Sequence, residues 1–112
     1  MTATVIDDLT AELPIPEDGT LSRVLYRDER LRLVGFAFAA GQELTEHTSP
    51  LPVVIQVVQG RLHLVLGEEK RVATPGSWVH LPSRLPHTVR AIEPTIMLLT
   101  VLPTVSGSPD GV

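Results

Sequence analysis

The residues of this chain best suited to chemistry near neutral pH are its four histidines. His47, His63, His80 and His87 all lie between Gly41 and Ala91. An imidazole can serve as acid or base, as a hydrogen-bonding handle or as a metal ligand. The sequence has no cysteine, so disulfides and thiolate ligands are excluded. His47 and His87 are far apart in sequence, and only tertiary folding can join them. Ser49 follows His47 at the same strand parity, but nothing nearby forms a nucleophile motif, so a nucleophilic serine is not expected. His63 alternates with Leu62, Leu64 and Leu66 and should face away from the core those leucines build. His80 shares a face with Trp78, opposite Val79 and Leu81; the pattern leaves open which of those faces is inside. Glu46 is out of phase with His47 and should face solvent. Arg84 and Arg90 flank His87, and a solvated loop arginine is the expected state of Arg84, with an anion-holding role as its alternative.

The elements that must position these groups are short. The chain has 112 residues, 43% apolar and 20% charged, which suits one domain with a single core. Ten prolines and eight glycines break it into many short segments. Its formal charge of −4 gives no electrostatic reason to expect nucleic acid or an anionic membrane as partner. Its apolar runs fall well short of the roughly 18–20 residues needed to span a bilayer. The N-terminal MTATVIDDLTAEL is acidic and does not resemble a secretory signal, so a cytoplasmic location is expected.

Val5, Ile6, Leu9 and Leu13 approach a helical spacing that Pro14 ends, so residues 1–20 read as an arm or a short helix. Strands are predicted over 21–26, 31–39, 44–47, 53–58, 61–66, 70–73, 78–81, 87–92 and 96–102. Within 31–39 the apolar parity changes between Leu33 and Phe36, and a β-bulge at Gly35 would absorb the slip. The strands 53–58 and 96–102 are apolar on both faces, so a second sheet or a second subunit should cover them, and a homodimer is expected. Residues 104–112 read as a flexible tail.

The middle of the chain resembles the cupin family, in particular its small single-domain members of RmlC-like type. Gly41, five residues, His47, Thr48, Ser49, three residues, Val53, six residues and Gly60 follow the spacing of the family's first motif. Ser49 stands where that motif has a second histidine, and Val53 where it has a glutamate. Gly76, Pro82 and His87 follow the second motif, with Arg84 at its inner glycine and Ala91 at its asparagine. The resemblance implies an all-β fold over 21–103, an antiparallel jelly-roll barrel or double-stranded β-helix with a pocket at one mouth. It implies a pocket lined by His47, Ser49, Val53, Ile55, Val57, His87 and Val89.

Family members that use Mn, Fe, Ni, Zn or Cu hold the metal with residues of both motifs, and only His47 and His87 carry over. Two functions are therefore expected as alternatives. One is a binding module that takes a small organic molecule in an apolar barrel, with His47 and His87 as its polar groups. The other is a metal-dependent enzyme of dioxygenase, isomerase or lyase type, with the metal on His47, His87 and a third ligand for which His80 is the candidate.

Overall fold

Nine strands account for most of the chain, in the computed structural model that describes residues 1–47 and 49–103, Glu46 and His47 by their backbone alone. They are β1 (Thr20–Arg27), β2 (Arg32–Phe38), β3 (Glu43–His47), β4 (Val53–Gln59), β5 (Leu62–Leu66), β6 (Glu69–Ala73), β7 (Trp78–Leu81), β8 (His87–Ala91) and β9 (Thr95–Val101). They form two antiparallel sheets, ordered β1-β2-β9-β4-β7 and β3-β8-β5-β6. All nine strands lie within a residue or two of the expected segments. The expected tail over 104–112 lies outside the described residues.

The two sheets meet through the side chains that face inward at every second position. Val53, Ile55 and Val57 of β4, Leu62 and Leu64 of β5, Val89 and Ala91 of β8, and Met97 and Val101 of β9 make one buried cluster with Phe38 and Leu81. Phe36 and Phe38 stack with ring centres 5.8 Å apart on the inner face of β2.

The outer face of the first sheet carries a second cluster. Leu13, Ala37, Ile96 and Leu98 are buried there, with Leu9, Ile15, Leu21 and Leu33 against them. The arm that crosses this face contains no helix. It makes two tight turns, with Glu12 N–H donating to Leu9 O and Leu13 N–H to Thr10 O, both at 3.2 Å. The Asp8 carboxylate accepts from the Thr10 hydroxyl at 2.7 Å and from the Thr10 backbone N–H at 3.1 Å. Pro14 ends the segment before a helix could nucleate. Arg23 of β1 donates to Glu12 O at 2.7 Å and pins the arm to the sheet.

This arm explains the parity change in β2. No bulge occurs at Gly35, because β2 pairs with β9 in unbroken register from Arg32 opposite Val101 to Phe38 opposite Thr95. The shift lies in the neighbouring strand, between Val24 and Tyr26 of β1. Both faces of β2 are apolar because both are covered: Phe36 and Phe38 face the barrel, while Leu33 and Ala37 face the arm. Gly35 is small for the same reason, since a Cβ there would lie 2.5 Å from Leu13 Cδ1. Of the two strands whose outer faces were the ground for expecting a second subunit, β9 is covered by the chain's own arm at Ile96 and Leu98, and β4 contributes Val58 to the same cluster. Farther along the sheet, Trp78 of β7 remains 63% exposed.

Two predictions follow from the arm and from the β1–β2 hairpin. Replacing Leu13, fully buried, by Ala should lower the unfolding free energy by about 2–4 kcal/mol in urea titrations. It should also raise light scattering, as Ile96 and Leu98 lose their cover. At the hairpin, Asp28 Oδ2 accepts from the Tyr26 hydroxyl at 2.6 Å, and Oδ1 accepts from the N–H of Arg30 at 2.7 Å and of Leu31 at 3.0 Å. The Tyr26 hydroxyl first, and then the two backbone donors, hold the Asp28 carboxyl below its usual range. A carboxyl depressed in the folded state stabilises above its unfolded pKa, and that stability is lost as pH falls through the folded value. The stability gap between the wild type and Asp28→Asn should therefore be largest at neutral pH and shrink on acidification, as followed by thermal melts across pH.

Candidate functional site

The candidate site lies where β3 and β8 pair. Glu43 is opposite Arg90 and Leu44 opposite Val89, after which the register shifts and His47 falls opposite His87. One extra residue in β3 makes this bulge; an unbroken ladder would have put Glu46 opposite His87. Bulges of this kind re-aim strand ends and are common beside functional sites.

β8 reads His87, Thr88, Val89, Arg90, Ala91, and its buried positions are the first, third and fifth. His87 therefore shares the inner face with Val89 and Ala91, and is only 5% exposed. It is the one buried titratable side chain among the described residues. Its Nδ1 lies 2.9 Å from Leu85 O. A carbonyl can only accept, so in the neutral ring Nδ1 carries the proton and Nε2 is the acceptor nitrogen, an assignment made from the hydrogen-bond partner.

Ser49 follows β3 in a half-buried loop, and its hydroxyl accepts from Leu51 N–H at 3.2 Å. Its carbonyl accepts from Arg84 N–H at 2.7 Å, which ties this loop to the one leading into His87. Arg84 has φ of +66° and is the only non-glycine in the left-handed region among the described residues. Glycine is the residue that takes such a backbone without strain. Arg84→Gly should therefore raise the unfolding free energy by about 0.5–1 kcal/mol, read from denaturant titration with m unchanged.

The other expected pocket residues lie in the buried core. Val53, Ile55 and Val57 line the inner face of β4 and pack in the same cluster as Val89. Val53, at 3% exposure, occupies the glutamate position of the first motif with no donor atom. The structure does not bring the remaining histidines here. His63 lies on the outer face of the second sheet, between Arg90 and Val72 in the ladder. His80 is exposed on the face of β7 opposite Leu81, its ring stacked on Trp78 with centroids 6.4 Å apart.

A metal of the kind cupins hold was tested against this donor set. Two histidine positions are opposed in the ladder, the glutamate position is an apolar core residue, and the Ser49 hydroxyl is already an acceptor for Leu51 N–H. No group of three or more His, Cys, Asp or Glu that could hold a metal ion occurs among the described residues. The His47 side chain lies outside the described residues. The residues present do not fit a resident metal held in the family's manner.

The register also brings in residues that strand patterns did not single out. Leu66 is opposite His87, and Glu69 is opposite Leu66. Leu64 is opposite both Val89 and Arg71, which places Arg71 on the inward side of β6 as well. The exposed, charged pattern of β6 hid this, because its side chains face inward only at the open margin of the barrel.

Fold and site together define a small antiparallel jelly-roll barrel with the buried His87 at one end of an apolar interior. The model of the family described as Cupin domain matches residues 36–102, and the chain belongs to this family. No protein of curated function matches it. Among solved structures, it is similar to a conserved Streptococcus pyogenes protein of unknown function, SPY1581, at 28% identity and a TM-score of 0.83, over 95% of this chain and 93% of that one. An RmlC-like cupin from Desulfovibrio desulfuricans matches at 26% identity and a TM-score of 0.80, over 93% and 100% of the two chains. KdgF from a Halomonas species matches at 26% identity and a TM-score of 0.74, over 78% and 82%. No helix is long and apolar enough to cross a membrane among the described residues.

Proposed function

We propose that this chain binds a small organic molecule at the His87 end of the barrel. The observation that carries this reading is a buried imidazole on an apolar face, oriented by a backbone carbonyl and opposite a second histidine position in the ladder. The matching ligand is largely apolar and presents a hydroxyl or N–H group toward this imidazole. Val53, Ile55, Val57 and Val89 supply apolar walls, and Ser49 lies in the loop beside them. Few polar groups in an apolar enclosure is the usual make-up of a small-molecule site.

The function expected in its place, a metal-dependent enzyme, needs a third ligand besides His47 and His87. His80 on the outer face of β7 does not offer one to that pair.

The test is an NMR screen of hydroxyl- and N–H-bearing compounds against the folded, ring-15N-labelled protein. The expected result is a saturable shift of the His87 ring nitrogens. His87→Ala should weaken binding of the same compound by roughly 10–100-fold, the equivalent of one well-placed hydrogen bond to a buried partner. Elemental analysis of the same protein samples decides against this reading if near-stoichiometric metal is found and is lost in both His47→Ala and His87→Ala.

A further inference from the structure

The two sheets do not hydrogen-bond to each other between β6 and β7, the last strands in their respective orders. Along this seam runs a groove of about 420 Å³. Its floor is Leu64, a fully buried core residue, with Leu66 and Val79, half-buried side chains that pack against the core. Its rim carries Trp78 and His80 on one side and the Glu69–Arg71 ion pair on the other.

We propose that this seam is a binding groove for a neutral, planar aromatic group, continuous with the His87 end of the barrel. It rests on the reading of His87 as a ligand-contacting residue and extends it. Continuity comes from the ladder: Leu66, in the groove floor, is the direct cross-strand neighbour of His87. Residues so paired on one face of an antiparallel sheet have their side chains in contact range. A ligand that reaches His87 therefore meets Leu66 next.

The shape of the group follows from the rings. Trp78 is the only tryptophan of the chain and is 63% exposed. It lies nearly parallel to His80, with 19° between the planes, so the two rings stack and a further flat ring can extend the stack from the exposed Trp78. Aromatic faces gain from offset stacking beyond the area they bury. The charge of the group follows from the opposite rim. Arg71 and Glu69 neutralise each other, so this rim carries no net charge to attract an ionic ligand.

Titration of the full chain with 2-naphthol tests this, because Trp78 reports the groove by fluorescence and the His87 ring nitrogens report the barrel end by NMR. The expected result is saturable quenching of Trp78 and a shift of His87 with one common midpoint. Trp78→Ala, a change at an exposed position, should keep the His87 shift but raise its midpoint about fivefold. Naphthalene-2-sulfonate should bind more weakly than 2-naphthol. Movement of His87 with Trp78 unaffected would leave the barrel-end reading standing and overturn the groove. Quenching of Trp78 with His87 unmoved would overturn the continuity, and equal or tighter binding of the sulfonate would overturn the assignment to a neutral group. Silence at both probes would remove the groove proposal, while the wider screen against His87 decides the barrel-end reading separately.

Discussion

The double-sided burial of β2 and β9 is the constraint from which most of this structure follows. These strands lie inside the first sheet, so their backbone groups are paired on both edges. Their inner side chains fill the barrel, and their outer ones would face water if the chain began at β1. The arm removes that exposure by laying Leu9, Leu13 and Ile15 on the outer face. Full burial of a leucine such as Leu13 is worth roughly 1.5–3 kcal/mol, a sizeable share of a small domain's margin. Gly35 makes the contact close, and Arg23 holds the arm in place from the sheet side. A segment with no regular secondary structure thus completes the core of an all-β fold.

Much of the fold was legible because period-two alternation and turn residues report local geometry directly. The strand positions and the outward face of His63 followed from it, while the barrel class followed from the motif spacing shared with cupins. The parity change at Gly35 was misread because a strand covered on both faces loses its alternation, and a bulge produces the same sequence pattern. Whether Leu13 lay on that strand could not be known from spacing alone. The orientation of His80 was undetermined for a related reason: Trp78 and Leu81 are both apolar on opposite faces of an edge strand, and only the sheet order tells which one meets the core.

The candidate site was partly legible. The motif spacing paired His47 with His87, and the ladder places these positions opposite each other. The inward side of β6 was hidden, since Glu69 and Arg71 look like surface residues and are in fact exposed, although their register aligns them with Leu66 and Leu64. The substitutions at the motif positions have a common effect. Val53 turns a ligand position into core, and Arg84 retains a backbone conformation suited to glycine while its N–H keeps two loops together through Ser49. The strand and loop framework of the two motifs persists where the donor set does not.

The bulge in β3 carries one more consequence. Which side chain type is set against His87 depends on a count of residues rather than on any residue's identity. Inserting a single codon between Leu44 and Thr45, with the bulge still absorbing one extra residue, would bring Glu46 to the place His47 now holds, without altering either residue. An imidazole would give way to a carboxylate, an acceptor of a different kind at the same place. The mouth of this barrel is therefore open to a change of chemistry by a shift in length, a mutational route that substitution at the site itself does not provide.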